Sequence, residues 1–340
     1  MARLPITVLT GFLGSGKTTV LSSVLATPGV PRVAVIVNEI GAVGLDHLIV
    51  SEVTETVTLL AAGCLCCQLR SDLVEAVRDL MDQAERGAVP AFDRIAIETS
   101  GLAEPGPILQ SLVEDVIVSE RCRLDGIVVT VDALNGAAQL ARRAEAQKQV
   151  AVADRLLLTK VDLVDAGAIA AATGAVRAVN AGAPLVEIAS GGVRPDHLFN
   201  AGLFDARTGR TDVERWLRFA ANAHGHESAI KTLCLRFNRP WAWHSLARWL
   251  ELLMALEGER LLRLKGIVNV AGEARPVVVH GVHHRLHPPA LLETWPGEDR
   301  STRLVFVTDG LDADAVSRTA VQFYGDAAHI DMRQIDTAPD

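Results

Sequence analysis

The chain has no apolar run that approaches the roughly 18 consecutive residues needed to cross a bilayer. Charges or turn residues interrupt every hydrophobic stretch in its 340 residues. It has no excess of positive charge either. Lys plus Arg is 33 against 41 for Asp plus Glu, a formal net charge of -8, which argues against holding a long polyanion on a basic face. Neither nucleic acid nor membrane is an expected partner. Cysteine is scarce and odd in number, at five. Without an export signal that count does not make a disulfide framework, so the thiols are expected to be free or metal-bound. The opening MARLPITVLTGFLGSGK lacks an uninterrupted apolar core and a small-residue cleavage site, so it reads as a strand rather than a signal peptide and the expected location is the cytoplasm. There is no internal repeat and no low-complexity segment.

What is present is length and apolar content: 340 residues, 49% of them hydrophobic, exceed what one core usually organises. Up to about residue 190, β-branched runs (ITVLT, RVAVIVN, RIAIETS, GIVVTVD, RLLLTK, LVEIAS) alternate with longer Ala- and Leu-rich stretches. That alternation predicts an α/β domain with a mostly parallel sheet covered by helices on both faces. Residues 201–227, rich in Gly, Asp, Arg and His around the short amphipathic VERWLRFA, read as a linker. Residues 228–340 then give strand, helix, three strands and helix, a smaller α+β domain, with its first helix starting just after Pro240.

The most informative motif is GFLGSGKTT, running from Gly11 to Thr19 between a strand and a helical pattern. It fits G-x4-G-K-T, the phosphate-binding loop. Gly11, Gly14 and Gly16 let the backbone turn so that N–H groups, with that of Ser15 among them, face phosphate oxygens. Lys17 adds a point charge for the β- and γ-phosphates. Thr18 offers a hydroxyl to Mg²⁺, and Thr19 extends the nucleotide-binding set. In RIAIETSGLAEP a buried strand ends at Glu98, a carboxylate that can hold Mg²⁺ or its waters opposite the loop, or alternatively cap a helix or join a salt bridge. Gly101 lets the backbone approach a γ-phosphate and move when it leaves. Thr159, Lys160 and Asp162 in TKVD address the base: the Asp162 carboxylate can accept from guanine N1–H and the N2 amino group, a donor pair adenine lacks. GTP or GDP, with Mg²⁺, is therefore the expected nucleotide. The usual GTPase motif has Asn where Thr159 stands.

The second feature is GCLCCQ, which places Cys64, Cys66 and Cys67 within four residues. Three thiols so close can converge on one soft or borderline ion, Zn²⁺ first among them. Buried small hydrophobes or a redox pair are the other readings. Upstream, Glu39 in VNEIGAVGLD can supply an oxygen to that ion or to Mg²⁺, or be a solvated strand-end carboxylate. His224 and His226 in the linker are candidates for metal capture. His280, His283, His284 and His287 read as one strand, with His280 and His284 on one face and His283 and His287 on the other, so four-fold ligation there is not expected.

Taken together, GFLGSGKTT, VNEIG, GCLCC, ETSGLAEP and TKVD, with RPWAWHSL and RLLRLKGIV downstream, resemble the CobW-like metallochaperone GTPases, relatives of the nickel-insertion GTPases for hydrogenase and urease. The resemblance covers almost the full length. It implies a GTPase that binds Zn²⁺, Co²⁺ or a similar ion through Glu39, Cys66 and Cys67, with Cys64 nearby, and delivers it to a client metalloprotein, hydrolysis resetting the carrier. A nucleotide- or metal-dependent homodimer is a further expectation. Alternatives are a dedicated accessory GTPase for cobalamin or metalloenzyme maturation, a GTP switch with a structural zinc, and an ATP-dependent kinase, against which TKVD argues. Ile40 replaces the family's aromatic, Ala42 removes a frequent acidic residue, and the His-rich tract shrinks to HGH. No arginine is placed in the site by sequence, so hydrolysis unaided is expected to be slow.

Overall fold

In the computed structural model the described residues are 3–38, 57–61, 69–190, 192–201, 230–324 and 330–334. Glu39, Cys64, Cys66, Cys67, His224, His226 and almost all of the 201–227 segment lie outside them. The chain divides into two compact units, Met1–Val176 with Ala183–Gly202, and Arg177–Gly182 with Leu203–Asp340.

The first unit carries a seven-stranded sheet in the order β3-β2-β4-β1-β5-β6-β7, with every pairing parallel. Its strands are β1 Leu4–Gly11, β2 Val33–Asn38, β3 Val57–Ala61, β4 Arg94–Thr99, β5 Cys122–Asp132, β6 Arg155–Thr159 and β7 Leu185–Ile188. The helices are α1 Lys17–Leu25, α2 Leu69–Glu85, α3 Pro105–Glu114, α4 Val116–Arg121, α5 Gly136–Arg142, α6 Ala144–Val152, α7 Ala166–Val179 and the single turn α8 Pro195–Leu198. Strands such as IVVTVD and RIAIET are buried on both faces, the signature of a parallel sheet under two helical layers. Leu9, Val35, Ala96, Val128 and Leu157 meet Val20, Leu21 and Val24 of α1 and Leu198 of α8 in one cluster. Fully burying each aliphatic side chain contributes about 1.5–3 kcal/mol, which seats α1, and with it the loop that begins it. β1 lies between β4 and β5, so chain connections diverge on either side of it. Ligands of open α/β sheets bind at such a point, beyond the carboxyl ends of the strands.

The second unit is an antiparallel sheet, β11-β10-β9-β13-β8-β14, with β12 paired to β10. Its elements are β8 Ile230–Phe237, α9 Trp243–Glu257, β9 Leu261–Val268, β10 Val277–Val282, β11 Arg285–Leu286, β12 Ala290–Leu291, β13 Thr302–Asp309, α10 Ala313–Tyr324 and β14 Ile330–Gln334. Alternating Leu233, Leu235 and Phe237 of β8 turn one face to Leu246, Trp249, Leu250 and Met254 of α9 and Val316 and Ala320 of α10. Trp241 and Trp249 stack with centroids 5.7 Å apart.

Three sequence expectations are corrected. The helix after Pro240 starts later, at Trp243, because Trp241 donates to Asn269 O at 2.8 Å and accepts from Ala271 N at 2.8 Å in a bridge. The His280–His287 stretch is a hairpin: β10 ends at Val282, His283 turns with φ 48°, and β11 returns. His280 and His287 therefore lie side by side, ring centroids 4.2 Å apart, rather than on opposite faces. Finally, β3, β12 and β14 are strands that the apolar pattern did not flag, and β11 is the returning half of the stretch that reads as one strand.

Candidate functional site

The site is built on the carboxyl ends of β1, β4, β5 and β6. Gly11 closes β1 with φ 145°, and a Cβ there would lie 2.4 Å from both the carbonyl oxygen and the hydroxyl of Thr130. Only glycine fits so close an approach. Gly14 and Gly16 take φ 73° and 89°, left-handed turns of the kind that direct successive N–H groups into one concavity. Gly16 is also the N-cap of α1, which has no side-chain cap. Its first-turn N–H groups and the positive end of its dipole are thus left for an anion.

Beneath the loop runs a buried chain of hydroxyls. Thr99 Oγ1 donates to Thr10 Oγ1 at 2.7 Å, Ser15 Oγ and Thr130 Oγ1 share a hydrogen bond at 2.7 Å, and Thr159 Oγ1 donates to Ser15 O at 2.7 Å. That last bond ties the end of β6 to the glycine loop. One hydroxyl does it, so the Thr in place of the usual Asn keeps a cross-link to the loop. Gly16 packs against the same side chain, a Cβ there lying 3.7 Å from Thr159 atoms.

Lys17 Nζ donates to Gly11 O at 3.0 Å and Phe12 O at 3.4 Å, which holds its charge over the loop. Thr18 Oγ1 donates to Glu98 Oε1 at 2.6 Å, across 80 residues of sequence, and Glu98 is 1% exposed. A hydroxyl and a carboxylate meeting at the mouth of the loop form the oxygen pair that a hard divalent cation takes. Thr19 follows on the exposed side of α1. Gly101 sits directly on the loop: a Cβ would lie 2.7 Å from Leu13 N and 2.8 Å from Leu13 Cα.

Just after β6, Lys160 adopts a left-handed φ of 59°, and its Nζ donates to Asp132 Oδ2 at 2.8 Å. Asp132 ends β5 beside Thr159. It also accepts from Leu134 N at 2.7 Å and Asn135 Nδ2 at 3.1 Å. Burial pushes this carboxyl up, but the hydrogen bonds from Lys160, Asn135 and Leu134 and the Lys160 charge outweigh it, and the net shift is downward. Asp162, exposed one residue into a short 3-10 turn, accepts from Ser190 N at 3.3 Å.

The structure thus brings Gly11, Gly14, Ser15, Gly16, Lys17, Thr18, Glu98 and Gly101 together, with Thr159 joined to them through Ser15. Sequence reasoning missed Thr130, Asp132 and Gln149, whose amide donates to Gly101 O and Ala103 O. The GIVVTVD run held a signal for two of them, since polar residues closing an otherwise apolar strand sit where strand ends meet ligands. Gln149, inside a helix, left none. Among the described residues no three His, Cys, Asp or Glu side chains form a metal-binding group, and no helix is long and apolar enough to cross a membrane.

A parallel sheet with a glycine loop leading into α1, in a chain that also carries an antiparallel-sheet unit, defines a two-unit protein of the P-loop nucleotide-binding class. Residues 5–187 match the nucleotide-binding domain described as CobW/HypB/UreG, and residues 230–321 match the cobalamin synthesis protein cobW C-terminal domain. The chain belongs to the CobW/HypB/UreG family. It is 32% identical over 307 residues to the zinc chaperone YjiA of Escherichia coli strain K12, covering 90% of this chain and 94% of the relative. To the zinc chaperone CobW of Pseudomonas aeruginosa it is 31% identical over 359 residues, covering 94% and 92%. Among solved structures, zinc-bound YjiA GTPase from E. coli matches with a TM-score of 0.68 at 26% identity, over 94% of this chain and 98% of that one. A zinc-bound triple mutant of YjiA, with one glutamate and two cysteines replaced by alanine, matches with a TM-score of 0.69 at 25% identity, over 96% and 100%.

Proposed function

We propose that the protein is a cytoplasmic GTPase that carries a transition-metal ion, Zn²⁺ or Co²⁺, and hands it to a client metalloprotein under control of the bound nucleotide. The nucleotide half rests on one observation above all, the Thr18 hydroxyl 2.6 Å from the Glu98 carboxylate at the mouth of the glycine loop. The metal half is supported by Glu39, Cys64, Cys66 and Cys67 as a sequence constellation and by the zinc-chaperone names of relatives aligned over nine-tenths of the chain. Residues 1–200 are the GTPase domain, 201–227 a linker and 228–340 the C-terminal domain. A homodimer formed with nucleotide or metal is part of the same proposal.

In this reading the loop amides and Lys17 hold the β- and γ-phosphates, and Thr18 and Glu98 hold Mg²⁺ or its waters. Mg²⁺ when bound neutralises charge developing on the β- and γ-oxygens. Thr18 would offer the cation its hydroxyl oxygen, and Glu98 would offer its carboxylate to the ion or to one of its waters. Gly101 presents backbone toward the γ-phosphate, its lack of a Cβ permitting contact with Leu13. Asp162 reads the guanine edge while Thr159 and Lys160 fix the base-side strand end to Ser15 and Asp132.

Asp162→Asn tests the base assignment. Its amide suits xanthine, whose C2 carbonyl replaces the guanine amino group, so GTP turnover is expected to fall at least about a hundred-fold while XTP turnover rises, as polar-edge readers discriminate. Unchanged GTP preference would remove Asp162 from the site and with it the guanine specificity.

A further inference from the structure

Gln149 on α6 is fully buried, and its side chain bridges two backbone carbonyls, Nε2 donating to Gly101 O at 3.2 Å and Ala103 O at 3.0 Å. With two carbonyls as neighbours, the nitrogen must face them, which fixes the orientation of the amide. The other end of the amide, Oε1, is buried with no hydrogen-bond partner among the described residues. Leucine would fill nearly the same volume but would strand the carbonyls of Gly101 and Ala103. Shape alone therefore does not account for glutamine here: its amide holds those two carbonyls while leaving an oxygen of its own unmet.

The reason lies in what Gln149 grips. Residues Ser100 to Ala103 form a turn closed by Ala103 N donating to Ser100 O at 3.1 Å, directly after the strand that carries Glu98. On one side Gly101 rests against Leu13 of the phosphate loop with no room for a Cβ; on the other, the carbonyls of Gly101 and Ala103 are both taken by Gln149. The neighbouring Lys148 Nζ lies 3.0 Å from Glu104 Oε1, so α6 also holds the residue that follows the turn. Ser100 Oγ, within the same turn, is a second buried polar atom with no partner among the described residues. The turn is clamped between loop and helix at some expense in unmet hydrogen bonds.

We infer that Gln149 is a positioning residue for the γ-phosphate: it sets the Gly101 turn against the phosphate loop and carries any displacement of that turn into α6. The inference rests on the GTPase reading above. Two neutral hydrogen bonds, each roughly a five-fold factor, hold the turn, and they act on the part of the site that a diphosphate does not reach.

The test uses the full-length protein with Gln149→Leu, and Gln149→Met as a second variant of similar shape if Q149L fails to fold. GDP and non-hydrolysable GTP-analogue affinities, kcat, KM and Tm are measured for each. The expected result is GDP affinity within about two-fold of wild type, a fall of about ten-fold in both kcat and the analogue-to-GDP affinity ratio, and a modest loss of Tm in both variants, because neither side chain can donate to the carbonyls of Gly101 and Ala103. Wild-type kcat and wild-type analogue-to-GDP ratio in either variant would overturn the inference. So would an equal loss of GDP and analogue binding, which marks a structural prop. If the unmodified protein neither binds nor hydrolyses GTP, the GTPase reading itself fails, and that is seen before any variant is compared.

Discussion

Asp132→Asn separates a base-side scaffold from mere packing. The Asp132 side chain is 2% exposed and that of Lys160 34%, so the pair is buried at one end and wet at the other. A hydrogen bond involving a charged group contributes about 1.5–3 kcal/mol, and partial exposure of Lys160 brings the expected loss to about 1–2 kcal/mol. Asn keeps the shape and one carbonyl oxygen for Leu134 N, but its amide meets the donors of Lys160 or Asn135. Lys160 also sits at φ 59°, which costs a non-glycine residue roughly 1–2 kcal/mol, so loss of its anchor frees the backbone to leave that conformation. The assay is urea unfolding with and without GDP for D132N, K160M and the double variant. A coupling of about 1–2 kcal/mol in the cycle, with GDP affinity about ten-fold weaker in each single variant, is expected. Additive effects, or D132N as stable and as tight for GDP as wild type, would refute the scaffold. The lowered Asp132 pKa sets the pH dependence: its contribution is fully present above the unfolded value near 3.9 and is lost as pH falls through the folded value. Wild type and D132N should therefore converge in stability in acid and diverge at neutral pH.

Thr159→Val removes the donor to Ser15 O and is expected to cost about 1–2 kcal/mol of stability and to weaken GDP binding, whereas Thr159→Ser keeps both; equal behaviour of the two variants by calorimetry would contradict the cross-link. Gly101→Ala forces a Cβ to within 2.7 Å of Leu13 N, so GTP turnover should fall by at least about ten-fold in single-turnover assays with the fold intact by circular dichroism; normal turnover would show that Leu13 yields freely. Burial pushes the Cys122 thiol up to about 11, with Arg121 opposing weakly. At pH 8 only about a thousandth is thiolate, and peptide mass spectrometry should find Cys122 unmodified by a thiol reagent until the protein is unfolded; rapid native labelling would contradict its burial.

How much of this could be read from the residues depends on how locally each feature is encoded. The glycine loop is contiguous, and its strand and helix flank it, so GFLGSGKTT specified both chemistry and setting. Glu98 and Thr18 lie 80 residues apart, but each closes or opens an element whose type the apolar pattern declares, so their shared edge of the sheet was legible. Asp132 was not singled out, because its role is a contact to Lys160 28 positions away and nothing in GIVVTVD says which neighbouring strand lies beside it. Gln149 is still further from legible: inside a helical Ala- and Gln-rich stretch a polar residue reads as surface, and only packing reveals that this one is interior. In the second unit, VVVHGVHHRLH scans as one strand because its alternation persists through the turn, and it is the left-handed φ at His283 that folds it back and stacks His280 on His287.

The central claim is that nucleotide and transition metal are linked on one protein, and linkage requires that each ligand change the affinity for the other by the same factor. The direct measurement is competition titration of Zn²⁺ and Co²⁺ into reduced full-length protein with Mg²⁺ plus GDP or a non-hydrolysable GTP analogue, repeated with Cys66→Ala/Cys67→Ala. The account predicts stoichiometric, thiol-dependent binding whose affinity shifts at least about five-fold between the two nucleotides, within the usual range of such couplings. Equal affinity with GDP and the analogue, or binding undiminished by loss of both thiols, would contradict it and leave a GTPase whose cysteines serve another purpose.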